Sequence, residues 1–215
     1  MIVVCVLRTG GIYDAGYVRA LRRGVSQFLP GLRFVCLTDI AGRVATDLTA
    51  PLEHNWPGWW SKMELFRVFP GPTLYFDLDT VLCGDLLPLA QVVEQLGTAE
   101  FLMLRDLNAR RPDHWTSGVM GWNGDWGWMY DRFRLQASAS MVRYRGDQEF
   151  IGAQLQETGA AVSPIQDHAK VASWKWRCRE TAPPPGTEIV CFHGKPRPHE
   201  QADVPWMKEH WRPEP

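Results

Sequence analysis

The 215-residue chain lacks a long hydrophobic run, an excess of charge of either sign and any segment typical of a membrane span. Its longest purely apolar run, Ile2–Leu7, is far too short to cross a bilayer. No basic segment followed by a long apolar stretch and a cleavage site stands at the N-terminus. Lysine plus arginine (23) nearly balance aspartate plus glutamate (24), so no overall basic charge indicates a nucleic-acid partner. We therefore expect a cytoplasmic protein that has no transmembrane segment and binds no nucleic acid.

The chain also lacks a CxxC pair, an internal repeat and a low-complexity linker. Its five cysteines are odd in number and lie mostly in apolar runs, which indicates reduced core thiols and no zinc site. A hydrophobic fraction of 45% suffices to bury the core of one domain. We expect that domain over residues 1–198, followed by a tail over 199–215 that contains proline and tryptophan. Most of the eleven tryptophans should fill the core, and two or three should line a cleft.

Strand and helix patterns alternate along the chain. Apolar runs predict strands over 2–7, 33–38, 100–104, 117–123 and 188–192, and a further strand that begins at Thr73 and carries Asp77 and Asp79 at its end. Helical spacing predicts helices over 15–28, capped by Asp14, and over 59–69, 86–96, 126–134 and 146–157. This order predicts an α/β fold with a mostly parallel central sheet and helices on both faces. Ligands of such sheets bind beyond the carboxyl ends of the strands, where Thr9, Asp39, Asp77 and Asp79 fall.

The most informative segment is the apolar run that ends in Asp77 and Asp79. In an extended strand, residues two apart point to the same side. Two such carboxylates repel each other unless something neutralises them, and a divalent cation that also holds a phosphate would do so. The alternative is a pair of solvated carboxylates in a turn.

The sequence Phe-Asp-Leu-Asp-Thr-Val at 76–81 resembles motifs of two enzyme families. It resembles the first motif of the haloacid-dehalogenase phosphatases, which would make Asp77 a nucleophile. It also resembles the DxD motif of GT-A glycosyltransferases, where the pair holds a metal against a nucleotide-sugar diphosphate. The phosphatase motif normally lies on the first strand, and no second acidic pair follows here. The glycosyltransferase family is therefore favoured, with the phosphatase and a non-catalytic nucleotide- or sugar-binding module as alternatives.

Further segments, in the expected order, resemble family 8 of the GT-A glycosyltransferases, which includes glycogenin and bacterial galactosyl- and glucosyltransferases. The N-terminal strand and its loop, residues 6–13, correspond to the segment that surrounds the base and ribose. The segment 59–66 corresponds to one whose basic residue approaches the donor phosphates or sugar. The resemblance therefore implies a nucleotide-sugar site that includes Thr9, Gly10, Tyr13, Asp39 and Lys62.

Two later segments also match. Trp-Thr-Ser-Gly-Val at 115–119 resembles the family's strand beside the donor sugar, which implies sugar contacts from Ser117 and from Asp106 upstream. Thr116 stands where the family usually has asparagine. Asp-Gln at 147–148 resembles the pair that faces the anomeric carbon, which implies catalytic roles for Asp147 and Gln148.

The C-terminal segment Cys-Phe-His-Gly-Lys at 191–195 resembles the family's last motif. It implies that His193 completes the metal site and that Gly194 and Lys195 contact the diphosphate. Imidazole is a competent ligand for manganese, and the ammonium would neutralise charge on the leaving group. The resemblance therefore implies transfer of a hexose from a nucleotide-diphosphate sugar, commonly a UDP-sugar, to a hydroxyl of a carbohydrate or glycan-precursor acceptor. It also implies a Mn²⁺ or Mg²⁺ cofactor and retention of configuration.

Overall fold

A computed structural model of the protein describes residues 1–179 and 181–212. The part of the chain it describes has ten strands. They are β1 (Ile2–Leu7), β2 (Arg33–Thr38), β3 (Leu48–Pro51), β4 (Thr73–Phe76), β5 (Thr80–Leu82), β6 (Glu100–Arg105), β7 (Trp115–Trp122), β8 (Ala161–Pro164), β9 (Val171–Ser173) and β10 (Ile189–Cys191).

Seven strands form the central sheet, in the order β3-β2-β1-β4-β7-β6-β8. All neighbouring pairs are parallel except the two that involve β7, which runs antiparallel to both β4 and β6. The remaining strands form a small sheet in the order β5-β10-β9. The predicted α/β fold with a mostly parallel central sheet is therefore confirmed.

Short helices connect the strands. The α-helices are α1 (Ala15–Phe28), α2 (Leu65–Val68), α3 (Leu87–Gln95), α4 (Gly127–Leu135), α5 (Ala137–Arg143), α6 (Asp147–Thr158) and α7 (Pro205–His210). Short 3₁₀ helices cover Gly58–Glu64, Ile165–Asp167 and Pro198–Gln201, and a π-helical turn covers Trp174–Cys178. Asp14 caps α1 as predicted, since its Oδ1 accepts hydrogen bonds from the amides of Gly16 (2.8 Å) and Tyr17 (3.3 Å).

Hydrophobic cores cover both faces of the central sheet. Along β1, Val3 and Cys5 face one core while Val4 and Val6 face the other, which follows the two-residue period of a strand. The first core includes α1, α3, α7 and the small sheet, and the second includes α2, α4 and α6. Helices therefore pack on both faces, as predicted. Among the described residues, no helix is both long and apolar enough to span a membrane.

The C-terminal tail is part of this packing as far as the structure describes it. The side chains of Trp206, Met207 and Trp211 lie in the first core. Residues 213–215 of the predicted tail lie outside the described residues.

Two local expectations are corrected. The helix predicted over 59–69 is a 3₁₀ helix followed by the single turn α2, because helical spacing of apolar residues does not separate the two helix types. The strand that carries the acidic pair ends at Phe76, so strand alternation does not orient Asp77 and Asp79. They lie in a turn closed by a hydrogen bond from the Thr80 amide to the Asp77 carbonyl at 3.0 Å.

Candidate active site

A cleft of about 1090 Å³ opens at the edge of the sheet where β1 and β4 end and β7 begins. Because these ends meet at one edge, residues far apart in sequence converge there. The residues predicted from sequence that line the cleft are Thr9, Gly10, Tyr13, Lys62, Asp77, Asp79, Ser117, Asp147, Gln148, His193 and Gly194.

Lys62 lies at the centre of a buried cluster, here called the Lys62 cluster, that comprises Lys62, Asp77, Ser117, Asp147 and Tyr75. The Lys62 Nζ lies 2.8 Å from Oδ1 of Asp77 and 3.2 Å from Oδ2 of Asp147. It also donates a hydrogen bond to the Ser117 hydroxyl at 3.1 Å. That hydroxyl donates to Oδ2 of Asp147 at 2.5 Å, and the Tyr75 hydroxyl donates to Oδ1 of Asp77. One cation therefore holds two carboxylates from different elements.

The electrostatics of the Lys62 cluster follow from its burial. Only 10% of the Lys62 side chain is exposed, and 6% of that of Asp147. Burial alone lowers the pKa of Lys62, but Asp147 and Asp77 more than offset it, so the pKa is raised and the ammonium stays charged. Burial and the neighbouring Asp147 raise the pKa of Asp77, against the opposing effect of Lys62. Two carboxylates share one buried cation.

Asp79 belongs to a second group, here called the Arg197 cluster, that comprises Asp79, Arg197 and Tyr13. Oδ2 of Asp79 accepts hydrogen bonds from Nη1 of Arg197 at 2.7 Å and from the Tyr13 hydroxyl at 2.6 Å. Nη1 of Arg197 also donates to the Tyr13 hydroxyl at 2.6 Å. Burial, followed by the charge of Asp77, raises the pKa of Asp79 to about 6 even with Arg197 beside it. The cations present therefore leave this acidic pair with uncompensated negative charge.

Asp39 supports the cleft from behind. It accepts hydrogen bonds from the amide of Thr9 at 3.0 Å and from its hydroxyl at 2.6 Å. Partial burial acts to raise the pKa of Asp39, but the Thr9 hydrogen bonds lower it overall. Asp39 is not among the cleft-lining residues, and its two hydrogen bonds to Thr9 fix the loop after β1.

Three other predicted residues, His193, Lys195 and Asp106, belong to neither cluster. The His193 imidazole lines the cleft, but its Nε2 is hydrogen-bonded to the Ser173 hydroxyl at 2.6 Å. Burial and nearby Lys175 lower the pKa of His193. Lys195 is exposed and absent from the cleft lining, and Asp106 accepts a hydrogen bond within its own loop, from the Asn108 amide at 2.9 Å.

The residues fit a divalent cation in part. The acidic pair offers carboxylate oxygens to the cleft, and the two cations Lys62 and Arg197 face three carboxylates, which leaves room for further positive charge. Among the described residues, no three histidine, cysteine or acidic side chains are grouped as ligands. The carboxylates of Asp77 and Asp79 therefore have the chemistry of ligands for a divalent cation. The His193 imidazole does not form a three-residue ligand group with them.

Sequence reasoning missed two participants. Tyr75 precedes Asp77 by two residues, but Asp77 lies in the turn after β4, so strand alternation does not predict their contact. Arg197 follows Gly194 by three residues, in the segment where Lys195 was chosen as the cation. Of the described tryptophans, only Trp59 is among the cleft-lining residues, which is fewer than expected.

No family model and no curated protein matches the chain. Solved structures do resemble it. The galactosyltransferase LgtC, solved with donor and acceptor sugar analogues, aligns over 97% of this chain and 93% of its own, with a TM-score of 0.67 and 15% identity. GlyE of Streptococcus pneumoniae TIGR4 aligns over 97% of this chain and 63% of its own, with a TM-score of 0.70 and 15% identity.

A glycosyltransferase involved in glycosylation of the major capsid of PBCV-1 aligns over 97% of this chain and 100% of its own, with a TM-score of 0.63 and 12% identity. Such low identities establish the shared architecture and not a shared substrate. The chain has the GT-A glycosyltransferase fold.

Proposed function

We propose that this protein is a glycosyltransferase that moves a hexose from a nucleotide-diphosphate sugar, most simply a UDP-sugar, to a hydroxyl of a carbohydrate or glycan-precursor acceptor. The observation that carries the proposal is the convergence of Lys62, Asp77, Asp79, Asp147 and Arg197 in one cleft at the ligand-binding edge of a GT-A fold. We expect the transfer reaction to take place in the cytoplasm.

We propose the following position for the nucleotide-sugar donor. Its nucleoside would lie on the β1 side, against the loop of Thr9, Gly10 and Tyr13, which Asp39 holds in place. Its diphosphate would lie at the acidic pair. A Mn²⁺ or Mg²⁺ ion held by Asp77 and Asp79, with His193 as a further candidate ligand, would supply electrostatic stabilisation of the diphosphate charge. Gly194 lies in the same lining, and its φ of 78° is one that other residues rarely adopt.

Arg197 takes the role that the sequence resemblance gave to Lys195. Its guanidinium already lies on Asp79 inside the cleft, whereas Lys195 is exposed and outside the lining. A guanidinium can bind two phosphate oxygens at once. When the bond between the anomeric carbon and the phosphate oxygen breaks, the bonding electrons leave with the diphosphate. Arg197 would then stabilise the negative charge that develops there.

Asp147 would face the anomeric carbon of the donor sugar, on the side away from the diphosphate. Its buried carboxylate is fixed by Ser117 and Lys62, so it can face the positive charge that develops at the anomeric carbon without moving. Gln148 is exposed in the same lining and available to the sugar hydroxyls. As in family 8, we propose retention, with a departing phosphate oxygen taking the proton of the acceptor hydroxyl. The phosphatase alternative is disfavoured, because the acidic pair follows the fourth strand of the chain, whereas the phosphatase motif normally lies on the first, and because the fold resembles that of GT-A glycosyltransferases.

Thermal unfolding with UDP, GDP, CDP and dTDP, each with and without MnCl₂, tests the donor site. A ligand at about 100 times its dissociation constant stabilises the folded state by roughly 2.7 kcal/mol, which raises Tm by several degrees. We expect a metal-dependent shift for one diphosphate, and release of that diphosphate from the matching nucleotide sugar. Absence of any shift would overturn the glycosyltransferase proposal.

A further inference from the structure

Two cations of the cleft have no acidic partner. Five lysine and arginine side chains line the cleft, and three of them lie near carboxylates. Lys62 lies near Asp77 and Asp147, Arg197 near Asp79, and Arg8 near Asp39. Within the described residues, the guanidinium groups of Arg111 and Arg145 form no ion pair. Positive charge that the protein does not neutralise indicates a ligand that brings negative charge.

Both arginines lie on the side of the cleft away from the nucleotide loop. Arg111 lies in the loop between β6 and β7, and Arg145 immediately precedes α6, which packs on β7. The strands β7 and β6 follow β4 in the sheet, whereas β1 precedes it. The segments that carry the two arginines are therefore on the opposite side of β4 from the loop after β1.

The backbone holds both residues in place. The Arg111 amide donates to the Asn108 carbonyl at 2.8 Å, and its carbonyl accepts from the His114 amide at 3.1 Å. The Arg145 amide donates to the Glu149 carboxylate at 2.9 Å, while Asp147, the acidic residue nearest Arg145 in the chain, is held by Lys62 and Ser117. Hydrogen bonds therefore fix the backbone at both Arg111 and Arg145.

Trp59 gives the same side of the cleft an apolar surface. Its side chain is 55% exposed although it lines the cleft. Its indole Nε1 lies 3.3 Å from where a β-carbon at Gly146 would be, so a side chain at 146 would crowd it. The exposed indole therefore adjoins the segment that carries Arg145 and Asp147. A flat apolar ring of this kind can cover the apolar face of a sugar.

From this arrangement we infer that Arg111 and Arg145 form an anion subsite for the acceptor, which is an acidic saccharide that bears a carboxylate or a phosphate and lies against Trp59. The inference rests on the proposed function, because it assigns the β1 side of the cleft to the nucleotide. Arginine pairs bidentately with either acidic group, so the chemistry of the subsite is the same for both.

Calorimetry on the full chain, saturated with UDP and MnCl₂, tests the inference with two matched pairs of sugars. Trigalacturonate is compared with maltotriose, and glucose 6-phosphate with glucose. We expect the acidic member of at least one pair to bind at least tenfold more tightly, and which pair responds distinguishes carboxylate from phosphate. The preference should weaken as NaCl is raised from 50 to 500 mM.

The variant Arg111→Gln/Arg145→Gln should lose this preference and keep its affinity for UDP within about twofold. The control Arg110→Gln/Arg143→Gln makes the same change of charge at exposed arginines outside the cleft, and should behave as the parent. The inference is overturned if the parent shows no preference, if the cleft variant retains it, or if the cleft variant loses UDP affinity instead. A parent that prefers acidic sugars but binds no nucleoside diphosphate would overturn the proposed function and leave the anion subsite standing.

Discussion

Asp77 and Asp79 are two residues apart, yet they lie in clusters of different construction. In the Lys62 cluster, the cation and both carboxylates come from segments packed on the central sheet, and the Lys62 side chain is 10% exposed. In the Arg197 cluster, the cation comes from the segment after β10, and the Arg197 side chain is 23% exposed. A pairing of carboxylate with cation thus occurs once among the segments packed on the central sheet and once with a cation from the C-terminal segment.

This difference separates support from binding. Lys62 is enclosed by two carboxylates and a serine. If its ammonium moved away, the carboxylates would lose their counter-ion, so we expect Lys62 to fix the positions of these side chains. The Arg197 guanidinium is 23% exposed and pairs with one carboxylate, so it can exchange one anion for another at lower cost. Arg197 can therefore move from Asp79 to a diphosphate, which frees the Asp79 oxygens for a divalent cation. The predictions below test this division.

The largest effect is expected for Lys62→Met. Removing the cation leaves Asp77 and Asp147 without a positive charge, although Tyr75 and Ser117 still donate to them, so we expect a loss of about 3 kcal/mol in the free energy of unfolding, at the lower end of the range for a broken buried ion pair. Urea denaturation measures the loss. The control Lys208→Met removes an exposed ammonium that lies 3.7 Å from Asp203, and should change stability by less than about 0.5 kcal/mol. A loss below about 1 kcal/mol for Lys62→Met would contradict its structural role.

Asp79→Asn should abolish the metal-dependent part of the stabilisation by UDP. At a ligand concentration of about 100 times the dissociation constant this part is up to roughly 2.7 kcal/mol. The exposed Asp85, six residues further on, lies outside the cleft, so Asp85→Asn makes the same change of charge and should keep the shift. If Asp79→Asn binds UDP with Mn²⁺ as tightly as the parent, Asp79 is not a metal ligand.

Arg197→Gln and Lys195→Gln differ only in which cation of the segment is removed. We expect the first to weaken UDP binding about tenfold, near the lower range for a charge-assisted hydrogen bond, and the second to leave it unchanged. Calorimetric titration with UDP and MnCl₂ checks both. An equal loss for Lys195→Gln would return the diphosphate role to Lys195.

These clusters also show how far the sequence predicts the site. The first strand and α1 were predicted with their observed bounds, because a continuous apolar run and an N-terminal Asp14 are local signals. Lys62 was placed correctly in the cleft because an ammonium among apolar helical residues is unusual. Its simultaneous contact with Asp77 and Asp147 depends on the packing of distant segments, which no local pattern encodes.

The C-terminal segment was harder to predict for a physical reason. The pairing of β10 with β9 and β5 sets its position, and those strands come from distant parts of the chain. The parallel pairing places Cys191 opposite Ser173, and the His193 imidazole is hydrogen-bonded to the Ser173 hydroxyl. Spacing within residues 191–199 could not decide between Lys195 and Arg197, since both are short steps from Gly194.

The smallest effects are expected for a matched pair of tyrosines, one in each cluster. Tyr75→Phe removes the hydroxyl that donates to Asp77 from a side chain that is 1% exposed, and Lys62 remains beside Asp77, so we expect a loss of about 1 kcal/mol. Tyr13→Phe leaves Asp79 with Arg197, and the partly exposed site admits water, so the loss should stay below about 0.5 kcal/mol. Urea denaturation compares the two. Equal losses would mean that the Arg197 cluster is as rigid as the Lys62 cluster, and Arg197 would then not be free to leave Asp79 for a diphosphate.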